Sequence, residues 1–183
     1  MSERTRVQLV PIGAFRREVL HRMIWMEVEP YSWRGLGPDS TEGQIDEALS
    51  SGVLSQSLLV SSRTGELLGL AQILVPNFRH GTAQFTGLIR SQFQGKVWPI
   101  DGFVQFLHNT FVNHPIRKIY AELPASNVSR FGRGLARFFE VEGTLKGHEW
   151  HRGEFRDVTF FGLERDAFYA NRTFSTILKR ATS

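Results

Sequence analysis

Three consecutive strand-type segments in the middle of the chain restrict its fold more than any other feature. Residues 54–61, 67–75 and 82–89 are rich in Leu, Ile and Val, and the short sequences at 63–66 and 76–81 that separate them contain glycine and proline. Apolar segments bounded in this way are typical of β-strands. Because short turns join antiparallel neighbours, the sequence predicts an antiparallel meander of three strands at the centre of the fold.

Helical and extended patterns alternate on both sides of this meander. Apolar residues recur every three or four positions in the helix-type segments, Thr41 and Gln44 have the spacing of a helix-opening capping box, and Asp166 is expected to cap the last helix. This order predicts an α+β fold, a mixed α/β sheet of about seven strands flanked by helices, rather than a doubly wound sheet. The other strand-type segments are 7–10, 116–123, 142–150 and 154–163, and the helix-type segments are 14–26, 41–49, 100–112, 128–139 and 166–180.

The composition narrows the class of protein. The 183 residues are 41% hydrophobic and 22% charged, which suits one globular domain over residues 1–183 with the helix 166–180 added at its end. The chain has no cysteine, no apolar run of the roughly 18 residues that a membrane span needs, and no apolar core near its N-terminus, so we expect a cytoplasmic protein with no membrane partner. A net charge of +4 is too small to indicate nucleic-acid binding, and arginines suit a small phosphate or carboxylate ligand.

A glycine-containing loop follows the strand 82–89 and leads into a helix. Its sequence is Gln-Gly-Lys-Val-Trp-Pro at 94–99. A loop between a strand and a helix N-terminus presents free backbone N–H groups to an anion such as a pyrophosphate. An ordinary turn that needs one glycine explains this loop equally well when it is taken alone.

The end of the strand 116–123 carries a candidate general base. Side chains alternate along a strand, so Tyr120 and Glu122 are predicted to lie on one face, where the Glu122 carboxylate could remove a proton from a substrate. The alternative is that Glu122 is a solvated edge residue. Asn127 is placed to cap the helix predicted to follow.

Together these features resemble the GNAT superfamily of acetyl-CoA-dependent N-acetyltransferases, specifically its branch of ribosomal-protein alanine acetyltransferases of the RimJ/RimL type. The family loop resembles Arg-Gly-Lys-Gly-Tyr-Ala-Thr-Glu-Ala, and residues 94–102 here are Gln-Gly-Lys-Val-Trp-Pro-Ile-Asp-Gly. The resemblance extends from about residue 7 to residue 168 and includes a Lys-Ile strand, a helix-opening Asn, a Glu-Gly pair and a late Gly-x-x-x-Asp hairpin. The matching residues are Lys118, Ile119, Asn127, Glu142, Gly143, Gly153 and Asp157.

The resemblance implies the acyl-CoA N-acyltransferase fold, with acetyl-CoA as co-substrate and no metal. Acetyl-CoA would lie between the strands 82–89 and 116–123, with its pantetheine against the main chain and its pyrophosphate on the loop amides. Glu122 would deprotonate the amine, directly or through water, and Ser129, one position before the family's serine, is the second catalytic candidate. The residues implied for the cofactor are Leu88, Ile89, Gln94, Gly95, Lys96, Val97, Trp98, Pro99, Asn127 and Arg130.

The acceptor amine is expected to enter between the loop 29–39 and the last hairpin. An aromatic residue beside an arginine at 33–34 suits a planar or acidic ligand, although a loop anchor explains the tryptophan equally well. Hairpin packing is the first interpretation of the histidine at 148 and substrate contact is the second, and no third metal ligand accompanies it and His151. The residues predicted to contact the acceptor are Trp33, Arg34, Tyr120 and His148.

The prediction is therefore an N-acetyltransferase that moves an acetyl or related acyl group from acyl-CoA to a primary amine of a small molecule or a protein N-terminus, by direct attack in a ternary complex. Two alternatives keep the fold. Val97 and Pro99 replace small residues of the family loop, which fits a non-catalytic module that binds a ligand or partner. The row Arg130, Arg133 and Arg137 fits a donor such as an acyl carrier protein, or simply a solvated helix face. The last helix is expected to cap the sheet or to form a homodimer contact.

Overall fold

Seven strands of the chain form one mixed sheet, as the sequence predicts. The computed structural model describes residues 6–27, 33–37, 39–125, 127, 138–151 and 153–181. The strands are β1 (Val7–Val10), β2 (Val53–Ser61), β3 (Leu67–Asn77), β4 (Thr82–Ile89), β5 (Lys118–Pro124), β6 (Glu140–His151) and β7 (Glu154–Glu164). Their order in the sheet is β1-β2-β3-β4-β5-β7-β6, and every neighbouring pair is antiparallel except β4 and β5.

Five helices lie within the described residues. They are α1 (Arg17–Glu27), α2 (Glu42–Ser50), α3 (Trp98–Asn113), α4 (Arg165–Ala170) and α5 (Arg172–Ala181). The helix predicted over 128–139 falls almost entirely outside the described residues. No helix in the described part of the chain combines the length and the apolarity that a bilayer crossing requires.

Short local motifs determine the first residues of α1 and α2. Residues 12–14 form a 3-10 turn after Pro11, so α1 starts three residues later than predicted. The predicted capping box at α2 is confirmed, because Gln44 N–H donates to Thr41 Oγ1 at 3.3 Å and Thr41 N–H donates to Gln44 Oε1 at 2.8 Å. Each bond satisfies a backbone donor at the start of the helix.

The C-terminal segment is two helices instead of the single one predicted over 166–180. Asn171 interrupts it, and its Oδ1 accepts hydrogen bonds from the N–H groups of Thr173 and Phe174 at 2.9 and 3.2 Å. Asparagine favours this capping role, which starts a new helix at that point. The expected N-cap was also wrong, since Glu164 holds that position and Asp166 lies in the first turn of α4.

Helices cover both faces of the sheet, but unequally. On one face α3, α4 and α5 enclose an aromatic-rich core that extends across the sheet to β7. On the other face α1 and α2 pack over β2, β3 and the end of β4. Over the remaining part of that second face, Gln84, Tyr120 and Phe160 are only partly buried and Glu122 is exposed. The uncovered area is therefore centred on the junction of β4 with β5.

A glycine allows β3 and β4 to lie close together beside the end of β4. Gly69 pairs with Ile89, and a Cβ added to Gly69 would overlap the carbonyl oxygen of Leu88. We expect Gly69→Ala to lower the free energy of unfolding by about 1–3 kcal/mol, because backbone must move to make room. Urea denaturation measures this loss. Gly13→Ala is the matched control, because nothing lies within 4 Å of its added Cβ, and an equal effect of the two substitutions would contradict the expectation.

Candidate functional site

The parallel strands β4 and β5 pair over only three residues each. Residues 82–84 pair with residues 118–120. Beyond them β4 continues to Ile89 along β3, and β5 continues to Pro124 along β7, without pairing with each other. Strands that separate in this way leave an opening whose edges carry backbone N–H and C=O groups with no strand partner. An extended molecule can form main-chain hydrogen bonds along such an edge.

A short turn and a loop connect the end of β4 to α3. Gly95 adopts a left-handed φ of 78°, and α3 begins at Trp98. Lys96 N–H donates to the Phe93 carbonyl oxygen at 3.3 Å, whereas none of the described residues provides a backbone acceptor for the N–H of Gly95, Val97 or Trp98. Free N–H groups at the positive end of a helix attract anions. Three of the four amides predicted to hold a pyrophosphate are therefore available.

The side chains of this loop leave its backbone accessible. Val97 is the N-cap residue of α3 and is 74% exposed, so its branched side chain points into solvent. Trp98 packs on Phe93 with ring centroids 5.3 Å apart, and Pro99, which has no N–H, is buried in the first turn. The Lys96 Nζ lies 5.4 Å from the centre of the Phe93 ring, which keeps one positive charge at the loop.

A buried carboxylate at the end of α1 anchors the start of the loop. The Ser91 N–H donates to Glu27 Oε2 at 2.5 Å, and Arg90 Nε lies 3.7 Å from Glu27 Oε1. The Glu27 side chain is only 7% exposed. Sequence reasoning missed this residue, although a glutamate in the last turn of a helix opposes the helix dipole and so indicates a partner elsewhere. Glu27 fixes where the chain turns after β4.

A side-chain hydrogen bond occupies the backbone carbonyl at the end of β4, which the sequence did not indicate. Gln94, predicted to contact the cofactor, uses its Nε2 to donate a hydrogen bond to the Ile89 carbonyl oxygen at 3.2 Å. Ile89 was predicted to pair with pantetheine through its backbone. A ligand that needs this carbonyl must therefore displace a neutral side-chain amide, which is a small structural change.

A concavity of about 310 Å³ lies where the pairing of β4 with β5 ends. Tyr120 and Glu122 line it together, which confirms the prediction that they share a strand face. Two apolar side chains, those of Val75 and Phe160, also line it. The lining residues are Val75, Thr82, Ala83, Gln84, Tyr120, Glu122 and Phe160. The concavity thus offers one carboxylate within a largely apolar surround.

The protonation of Glu122 depends on two opposing influences. Loss of hydration from crowding by its neighbours raises the pKa of the Glu122 carboxyl, and the electrostatic influence of the nearby His148 ring lowers that pKa by a smaller amount. A carboxylate with a raised pKa is a stronger base, which suits proton removal near neutral pH. The structure therefore brings Glu122 and His148, from different strands, within electrostatic range of each other.

The strand β6 carries the histidines considered in the sequence. The ladder between β6 and β7 is irregular between Leu145 and Glu149, and His148 lies exposed in this irregular segment, while His151 is 7% exposed. Glu149 was missed by sequence reasoning, and burial raises the pKa of its carboxyl too. Among the described residues, no group of three His, Asp or Glu side chains is placed to hold a metal ion.

Three of the predicted site residues, Asn127, Ser129 and Arg130, follow β5 in the sequence. Asn127 is partly buried, and the prediction that it caps the following helix was wrong, because Ala125 and Asn127 both have helical backbone already; the continuation of that helix lies outside the described residues. Ser129, the second catalytic candidate, and Arg130, a cofactor candidate, also lie outside them. Their roles remain predictions.

The pair at 33–34 is placed as a loop anchor. Trp33 is 3% exposed and belongs to the core under α1 and α2. Arg34 donates from Nη1 to the Ala48 carbonyl oxygen at 2.5 Å and from Nη2 to that of Ser51 at 3.0 Å, and burial lowers the pKa of its guanidinium. These bonds satisfy carbonyls at the end of α2. Of the four residues predicted to contact the acceptor, the structure gathers Tyr120 and His148 near Glu122, while Trp33 and Arg34 support α2.

Comparison with solved structures identifies the architecture. A chimera of the spermidine N-acetyltransferase SpeG from Vibrio cholerae and hSSAT matches with a TM-score of 0.72 at 17% identity, covering 91% of this chain and 100% of that chain. The chain has the GNAT fold. The V. cholerae spermidine N-acetyltransferase in complex with CoA and spermine matches with a TM-score of 0.71 at 18% identity, covering 89% of this chain and 96% of that one.

A further match shows the same architecture within a larger assembly. The dodecameric structure of the V. cholerae spermidine N-acetyltransferase has a TM-score of 0.67 at 19% identity, covering 91% of this chain and 96% of that chain. No family model and no curated protein sequence matches the chain. At these identities the likeness confirms the predicted GNAT fold, and activity has to be argued from the site.

Proposed function

We propose that the protein is an N-acetyltransferase that transfers an acetyl or related acyl group from acyl-CoA to a primary amine of a small molecule. The observation that carries this proposal is the opening between β4 and β5, with free loop amides at one end and the Glu122 concavity at the other. This arrangement suits a long, thin donor with a diphosphate at one end and a reactive thioester at the other. Structures with the same fold include a spermidine N-acetyltransferase in complex with CoA.

The donor would lie along the unpaired edge of β4. The N–H groups of Gly95, Val97 and Trp98 would receive the diphosphate, and the main chain at Ile89 would pair with the pantetheine arm. The Leu88 carbonyl oxygen, also predicted for this role, lies against Gly69 of β3 instead. Lys96 adds a positive charge beside the diphosphate. Free N–H groups at the start of a helix bind anions such as a diphosphate. An extended amide chain such as pantetheine can form hydrogen bonds along an open strand edge.

The reaction would take place at the concavity. The Glu122 carboxylate accepts a proton from the ammonium form of the substrate, directly or through one water, which frees the nitrogen lone pair. The nitrogen attacks the thioester carbonyl carbon, and the carbonyl oxygen becomes an oxyanion that a backbone N–H near Ile89 stabilises. The carbonyl then re-forms as the carbon–sulfur bond breaks, and the CoA thiolate leaves as the thiol by taking the extra proton that the attacking nitrogen loses, which leaves a neutral amide.

The acceptor class follows from the same site. One carboxylate among apolar groups suits an aliphatic amine. Proteins of the same fold include a spermidine N-acetyltransferase, one structure of which is in complex with CoA and spermine. The branch of ribosomal-protein alanine acetyltransferases remains the finer alternative, with a protein N-terminus as acceptor. An acyl carrier protein remains the alternative donor, and a homodimer the proposed assembly.

The proposal is tested by measuring thiol release. The protein is incubated with acetyl-CoA and a panel that contains alkylamines, polyamines and alanine-terminated peptides, with calorimetry of acetyl-CoA binding in parallel. We expect binding of acetyl-CoA and turnover with at least one small aliphatic amine. Turnover only with peptides would support the finer alternative, and turnover with an acyl carrier protein but not acetyl-CoA would change the donor.

One observation favours a second candidate, the non-catalytic binding module. The bond from Gln94 to the Ile89 carbonyl closes part of the β4 edge. If the bond persists, CoA or another ligand can bind at the loop without its thioester reaching the concavity. Binding of CoA with no thiol release for any amine would establish this candidate and exclude the enzyme.

A further inference from the structure

The residue Val75 has a backbone conformation that its sequence disfavours in three ways. Its φ is 46°, in the left-handed region that L-residues avoid. It is β-branched, for which this region is an outlier, and it precedes Pro76, which favours extended backbone. Strain of this kind persists only where the surrounding structure imposes it, and it is concentrated at functional sites.

The surrounding structure holds Val75 in place through the backbone. The β3–β4 ladder is irregular between Leu74 and Asn77, and regular pairing resumes where Asn77 meets Thr82. Val75 N–H donates to the Gly52 carbonyl oxygen at 2.9 Å, which fixes the irregular segment against the start of β2. The extra length of β3 at this point redirects the side chain that it carries.

The consequence is an apolar side chain placed at the concavity. Val75 is 67% exposed, yet it lines the same concavity as Glu122, Tyr120 and Phe160. A valine that is both strained and exposed contributes nothing evident to the core. It does place an isopropyl group on the wall of a site whose polar centre is a carboxylate.

We propose that Val75 determines acceptor specificity by contacting the alkyl chain of the substrate amine, so that the preferred substrates are primary amines on an aliphatic chain. This inference rests on the proposed function. The amine nitrogen lies at Glu122, and the methylene groups next to it lie against Val75 and Phe160. Contact of this kind favours longer chains, by up to about fourfold in kcat/KM for each methylene that is fully buried.

The test uses Val75→Asn with a series of straight-chain primary amines. Asparagine tolerates the left-handed region, so we expect the melting temperature to rise by about 2–4 °C as strain is relieved. We expect KM for the longest amine to rise about tenfold while kcat and the affinity for acetyl-CoA stay unchanged, because only binding of the chain is lost. The dependence of kcat/KM on chain length should flatten.

The control is Val112→Asn, which changes a valine that is 62% exposed near the end of α3 and away from the concavity. It should leave the chain-length dependence as in the wild type. A wild-type chain-length dependence in Val75→Asn, or a lower melting temperature, would overturn the inference. Calorimetry of amine binding to both proteins decides the inference even if the wild type transfers no acetyl group, a result that would count against the proposed function alone.

Discussion

Replacement of Glu122 by glutamine is expected to lower kcat for acetyl transfer by about 10²- to 10⁴-fold, the usual contribution of a positioned general base. Glutamine keeps the shape of the side chain but cannot accept the proton of the ammonium group. Binding of acetyl-CoA should stay unchanged, since Glu122 lies in the concavity rather than at the loop. Steady-state kinetics with calorimetry of acetyl-CoA binding separate the two effects.

A matched variant and a pH profile make this prediction specific. Glu154→Gln alters a glutamate of the last hairpin whose side chain is 61% exposed, and its kcat should equal that of the wild type.

Crowding raises the pKa of Glu122, so the acid limb of the wild-type kcat profile should lie above the range of an ordinary carboxyl. Below that pKa the base is protonated and the rate falls. His148→Gln removes the ring whose electrostatic influence lowers this pKa, so the limb should move to higher pH. An unchanged kcat in Glu122→Gln would remove Glu122 from the mechanism.

Truncation of Phe168 to alanine is expected to cost about 3–5 kcal/mol of the free energy of unfolding. Phe168 is fully buried, with its ring centroid 5.3 Å from that of Phe111 on α3 and 4.9 Å from that of Phe174 on α5. The lost ring leaves a cavity between three helices that cannot close without moving α3. Because α3 begins at the candidate loop, acetyl-CoA affinity should fall as well.

Chemical denaturation monitored by circular dichroism measures this loss. Phe155→Ala removes the same side chain at a position that is 65% exposed, where its ring contacts Trp150. It should change the free energy of unfolding far less. A loss in Phe168→Ala as small as that in Phe155→Ala would mean that the C-terminal helices do not depend on Phe168 for their packing.

Local patterns made much of the fold and part of the site predictable. The alternation of side chains along β5 placed Tyr120 and Glu122 on one face, and the spacing of Thr41 and Gln44 predicted the cap of α2. Both are properties of a few neighbouring residues. Asn171 could have been recognised by the same reasoning, since asparagine is a preferred helix cap.

The parts that could not be predicted depend on contacts between distant residues. Glu27 bonds to Ser91 across 64 positions of the chain, and no local pattern indicates that partner. Val75 is strained only because Gly52 and the β4 ladder hold it. Arg34 appeared suited to a ligand, whereas the fold uses its guanidinium to satisfy the end of α2. A sequence shows which groups are available, and tertiary packing decides which of them remain free to bind.

The most direct test of the account is a crystal structure of the protein grown with CoA. We expect the diphosphate on the N–H groups of Gly95, Val97 and Trp98, the pantetheine between β4 and β5, and the thiol directed at the concavity beside Glu122. CoA bound at any other surface, or an empty opening at a concentration of CoA that saturates calorimetric binding, would contradict it.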